Sequence, residues 1–94
     1  MDTSQIDRAR QEIDRINGEL TALLVERMKQ VDIVGEWKKA NDQPIFVPAR
    51  EEAILKKVTA LAGEEFAPEI KAVFEAVFEA SRRREERLKK QSGE

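Results

Sequence analysis

An all-α fold is what this 94-residue sequence predicts, in the form of a three-helix subunit with one very long N-terminal helix and an intertwined homodimer. Three observations lead there. Apolar residues recur at helical spacing from Ser4 to Lys39 with no proline to interrupt them. Pro44, Pro48, Gly63 and Pro68 then cut the remainder into two shorter blocks. No stretch alternates apolar and polar residues for long, and Ile45-Phe46-Val47, bracketed by prolines, reads as a connector. At 10.8 kDa the chain is one domain, residues 1–94, with helices at about 4–40, 48–62 and 67–90.

The first helix carries Ile6, Ala9, Ile13, Ile16, Leu20, Leu23, Leu24, Met28, Val31 and Val34. Ser4 is its expected N-cap, with Asp7 favourable to the helix dipole, and Asn41-Asp42-Gln43-Pro44 ends it. A helix of about 36 residues would be roughly 54 Å long, against a radius of gyration of about 13 Å for a compact chain near this size. Its apolar stripe therefore outruns its own subunit, and the same helix of a second copy is the cheapest cover. The second helix opens at Pro48 with Glu51 and Glu52 near its positive end, presents Glu51, Ile54, Val58 and Leu61 inward, and closes at Gly63. The third starts near Pro68 and runs through Ile70, Val73, Phe74, Val77 and Phe78 into the charged tail Arg82 to Lys90.

Composition removes whole classes of chemistry. Cysteine, histidine and tyrosine are absent, so disulfides, thiol nucleophiles, Cys/His zinc sites, Ser-His-Asp triads and imidazole or phenol acid/base catalysis are excluded. Arginine, lysine, carboxylate and hydroxyl chemistry is left. Seventeen basic against nineteen acidic residues give a net charge of −2, which argues against nucleic acid or an anionic membrane as a partner. No signal-peptide pattern and no apolar run of spanning length is visible, so the expected compartment is the cytoplasm.

The residues that break the apolar stripes are the candidate site. Arg27 interrupts the first helix's face, and Lys38, eleven residues on, returns to within about 20° of it at about 100° per residue. Arg10 edges the same stripe, too far along the helix to meet Arg27 within one chain but able to reach a second copy's site in an antiparallel dimer. On the third helix the series Ile70, Phe74, Val77 continues as Ser81, Glu85 and Leu88. On the second, Glu51 faces inward with Arg50 beside it. Each alone has a plain explanation: a snorkelling cation, a serine bonded back to a carbonyl, a fraying carboxylate, dipole compensation. Their coincidence on three helices suits a small polyanion, a dicarboxylate, enclosed among them.

These residues in this order resemble the all-helical AroQ class of chorismate mutases, over roughly residues 5–91. The resemblance lies in Ile13-Asp14-Arg15-Ile16-Asn17, Glu26-Arg27, Lys38-Lys39, Pro44-Ile45-Phe46 followed by Pro48-Ala49-Arg50-Glu51-Glu52, and Ser81 with a polar residue four later. It implies a dimer with two equivalent sites that rearrange chorismate to prephenate with no nucleophile, metal or cofactor. Arg10 would be lent to the other subunit's site, and Arg27 would bind a carboxylate in its own. Lys38 would contact a carboxylate and the ether oxygen, Arg50 would support the pocket, Glu51 would bind the ring hydroxyl, and Ser81 would assist carboxylate binding. Glu85 stands in the place of the second donor to the ether oxygen.

Two positions depart from the pattern. Many relatives have glutamine in the place of Glu85, and a carboxylate must be protonated to donate, so activity is expected to improve toward acid pH. Val47 stands where bacterial relatives often carry aspartate, a change that is harmless if the backbone amide acts there and weakens hydroxyl recognition if the side chain does. An isochorismate pyruvate lyase, sharing the fold and cationic pocket, is the nearest alternative, but the connector Pro44-Ile45-Phe46-Val47-Pro48-Ala49-Arg50-Glu51 favours the mutase. A non-catalytic dimerisation or effector-binding module is a second alternative. A nucleic-acid tail at Arg82 to Lys90 is disfavoured by Glu85 and Glu86 and by the lack of stacking aromatics.

Overall fold

The computed structural model describes residues 2–91, which form three α-helices and no strand: α1 Thr3–Ala40, α2 Pro48–Ala62 and α3 Ala67–Gln91. α1 begins one residue earlier than its expected cap allows, because the capping side chain is Asp2 and not Ser4. The Asp2 carboxylate accepts from the Gln5 amide at 3.1 Å, and the Ser4 hydroxyl donates to the same oxygen at 2.7 Å. Those two bonds hold the Asp2 carboxyl below its usual range, the Ser4 bond contributing most. No described helix is long and apolar enough to cross a membrane.

The helix ends follow from local chemistry. After α1, the Gln43 amide donates to the Lys38 carbonyl at 2.7 Å, and Asp42 takes a left-handed φ of 54°, which its short polar side chain tolerates. α2 has no side-chain cap. Pro48 occupies its first turn, where a missing N–H costs nothing, and the Val47 carbonyl accepts from the Arg50 and Glu51 amides at 3.1 and 3.2 Å. At the far end Gly63 adopts φ 86° while its amide donates to the Thr59 carbonyl at 3.2 Å, a conformation that strains any residue with a Cβ. The Ala67 amide donates in turn to the Gly63 carbonyl at 3.0 Å as α3 begins.

The described residues fall into two compact units that divide between Gln30 and Val31, inside α1. In the first, α1 exposes Ile6, Ile13, Ile16, Leu20 and Leu23, and Arg15 bridges Glu12 and Glu19 along the solvent face. The second contains the last part of α1, the connector, α2 and α3, with α2 packed on α3. Phe78 of α3 is its buried apolar residue, edge-to-face with Phe74 at a centroid distance of 6.1 Å. Half-buried Ile54, Leu55, Val58 and Ala62 form the covered stripe of α2. Leu61, expected inside, is 78% exposed: the stripe drifts along the four-residue line 54, 58, 62 and leaves position 61 outside its edge.

Candidate active site

Glu85 is buried because of where α3 places it. The line from Ile70 and Phe74 through Val77 and Ser81 runs on to Glu85, so the face that packs inward carries this carboxylate with it, to 6% exposure. A carboxylate taken that far from water needs a partner, since desolvation costs several kcal/mol per ion. Lys38 of α1 supplies it: Nζ donates to Oε1 at 3.2 Å and to Oε2 at 3.4 Å, and to the Ile45 carbonyl of the connector at 2.8 Å. The fraying alternative for Glu85 is thereby set aside.

The close approach of α1 to α3 at this pair depends on Gly35, one turn before Lys38. A Cβ at position 35 would lie 3.3 Å from Glu85 Cγ, tighter than ordinary packing allows. Gly35, Lys38, Lys39, Asp42, Ile45 and Glu85 line a small cavity of about 50 Å³. Lys38 side-chain exposure is only 15%, so the ammonium acts in a largely desolvated setting.

Glu51, in the first turn of α2, is half-buried and ion-paired to Arg82 of α3, whose guanidinium also sits 5.0 Å from the centre of the Phe46 ring. Beside them lies a pocket of about 360 Å³ lined by Phe46, Pro48, Glu51, Leu55, Phe78 and Arg82. Val47 is half-buried and serves α2 through its carbonyl. Ser81 donates its hydroxyl to the Val77 carbonyl at 2.8 Å, and Arg50 is exposed. Arg10, exposed, and Arg27, half-buried, belong to the first unit, whereas the other candidates belong to the second. Of the sequence candidates, then, Lys38 and Glu85 meet directly, and Glu51 meets a residue that was read only as part of a basic tail.

Four participants escaped the sequence reading. Arg82 did carry a signal, since it follows the buried Phe78 by four residues and so borders the inward face. Gly35 carried no signal, since a glycine within a helical pattern adds no side chain to the periodicity. Asp32 and Arg84 form a two-point fork between α1 and α3, Nε to Oδ1 at 2.6 Å and Nη2 to Oδ2 at 2.7 Å. The Arg84 hydrogen bond, opposed by desolvation and aided by its charge, holds the Asp32 carboxyl below the usual range. No local pattern marks residues 52 positions apart as partners.

Comparison with known proteins adds a family. The family described as chorismate mutase type II matches residues 9–86. A bifunctional chorismate mutase/prephenate dehydratase from Aquifex aeolicus (strain VF5) is 42% identical over 60 residues. That alignment covers 64% of this chain and 17% of the relative, so the chain spans a small part of that protein's length. No solved structure matches the chain.

Proposed function

Because the chain belongs to the chorismate mutase type II family, we propose that it rearranges chorismate to prephenate, holding the dicarboxylate in its compact reactive conformer and stabilising charge on the ether oxygen. In this reaction one C–O bond breaks as one C–C bond forms within a single molecule, so no nucleophile is called for. What the protein must supply is position and electrostatics. That demand suits a chain whose site chemistry is confined to cations, carboxylates and a hydroxyl.

The observation that carries the reading is the buried Lys38–Glu85 pair. An ammonium has three N–H donors, and here they face the Ile45 carbonyl and the two Glu85 oxygens; the longest of these contacts, 3.4 Å to Oε2, is the one that gives way when the ether oxygen accepts a donor as its bond to carbon lengthens. In a poorly solvated setting such a donor is worth far more than in water. Glu85 donates to the same oxygen only in its protonated form, with Lys38 then serving its other oxygen. Arg27 grips a carboxylate through its planar fork, Arg10 of the partner subunit grips the other, Ser81 assists, Arg50 supports the pocket and Val47 contributes its backbone. Glu51 accepts from the ring hydroxyl.

The dimer is part of this proposal. Ile13, Ile16, Leu20 and Leu23 of α1 are about half exposed or more, a cost that a second copy's helix removes. The same reading makes this a cytoplasmic enzyme acting on a free small molecule, with neither nucleic acid nor membrane among its partners.

Loss of chorismate absorbance, followed at pH 5 and pH 7.5 beside Arg27→Ala, tests the assignment. The expected result is turnover that falls at least about 100-fold in the variant. A folded wild-type protein with no turnover at either pH would overturn the assignment, and isochorismate would be the next substrate tried.

A further inference from the structure

Arg82 has no role in the chemistry described so far, yet three segments converge on it. It leaves α3 one turn beyond the buried Phe78, donates through Nη1 to Oε2 of Glu51 on α2, and lays its guanidinium against the ring of Phe46 in the connector. Both partners are partly withdrawn from water, at 33% side-chain exposure for Arg82 and 22% for Glu51. The pocket of about 360 Å³ adjoining Glu51 and a second of about 650 Å³ share Phe46 and Arg82 in their walls, so this guanidinium stands where the two meet.

The geometry has a chemical consequence. A free glutamate in the first turn of a helix samples several rotamers, and each must be given up before it can hold a substrate group. Here one carboxylate oxygen is already engaged, and the cation engaging it is itself held 5.0 Å from the centre of an aromatic ring. Oε1 is thereby left as an acceptor of fixed direction beside the pocket. Hydrogen bonds to a charged acceptor that is oriented in advance discriminate strongly between a ligand that offers a hydroxyl and one that does not.

We propose that Arg82 is a specificity-determining positioning residue, which fixes Glu51 so that its second oxygen accepts the hydrogen bond of the substrate's ring hydroxyl. The proposal rests on the chorismate mutase reading and deepens it, assigning recognition of one substrate group to a residue pair and not to Glu51 alone.

The test compares chorismate with an analogue whose ring hydroxyl is replaced by hydrogen, in the wild type, Arg82→Ala, Arg82→Lys, Glu51→Gln and the Glu51→Gln/Arg82→Ala double variant. The readout is the ratio of kcat/KM for the two substrates, which a general loss of packing does not move because it penalises both alike. The wild type is expected to prefer chorismate by at least about tenfold. Arg82→Ala should reduce that preference about tenfold, mainly through a higher KM for chorismate, since the hydroxyl is remote from the reacting bond. Arg82→Lys, which keeps the charge and loses the planar fork, should fall between. In the Glu51→Gln background, removing Arg82 should change the ratio no further. An unchanged ratio in Arg82→Ala, or an equal fall with and without Glu51, would overturn the proposal. Wild-type protein that converts neither compound would instead overturn the reaction itself, and the proposal with it, before any variant is compared.

Discussion

At position 35 a hydrogen in place of a methyl decides how closely Glu85 comes to α1, and two opposing effects can be weighed there. Gly35→Ala gains about 0.8–1 kcal/mol of helix propensity. It also forces a contact of 3.3 Å onto Glu85 Cγ, an overpacking penalty of about 1–3 kcal/mol. Net stability should therefore fall by about 0–2 kcal/mol in thermal melts, while kcat falls roughly tenfold because the Lys38–Glu85 pair is displaced. Glu85 itself sets a prediction: Glu85→Gln, which keeps the shape and is a permanent donor, should raise kcat at pH 7.5, whereas Glu85→Ala should lower it. A Glu85→Gln variant no faster than the wild type would remove Glu85 from the donor role. Lys38 and Glu85 were legible because each interrupts an apolar line at helical spacing. Gly35 was not, since periodicity registers what a side chain adds and is silent on what its absence permits.

Between elements, the fork from Asp32 to Arg84 joins the last part of α1 to α3, one turn from the Gly35 contact. With its carboxyl held below the usual range by Arg84, Asp32 contributes stability that is fully present above the unfolded aspartate value of about 3.9 and is lost as pH falls through the lower folded value. Asp32→Asn should thus melt below the wild type at pH 6, and the two melting temperatures should converge in strong acid. A gap that persists there would assign the effect to packing and not to charge. The three helices themselves were readable from proline and glycine punctuation, with ends within one residue of those expected. The discrepancies lay in side chains. Asp2 took the capping role assigned to Ser4 because the helix starts a residue sooner, and Leu61 fell outside a stripe that drifts along a four-residue line. Pairings across 31 and 52 positions, such as Glu51 with Arg82 and Asp32 with Arg84, have no local signature at all.

For the whole molecule, the apolar length of α1 argued for a second copy from the sequence alone, and the exposure of Leu20 and Leu23 supports the same proposal. A shared site has a testable arithmetic. Arg10→Ala and Arg27→Ala should each be nearly inactive, yet unfolding and refolding them together in equal amounts should restore about one quarter of wild-type activity, because half the dimers are mixed and each mixed dimer has one intact site. No recovery from a mixture shown to contain mixed dimers would place both arginines in one subunit's site. Within the second unit, the connector has a further consequence. Lys38 braces it at the Ile45 carbonyl, and the next residue, Phe46, carries the guanidinium that holds Glu51. Lys38 and Arg82 are joined by no direct bond among the described residues, yet they pull on neighbouring links of one short chain segment. Their substitutions should therefore not add: a double-mutant cycle between Lys38→Ala and Arg82→Ala should return a coupling of about 0.5–3 kcal/mol, the energy with which one link of the connector senses the next.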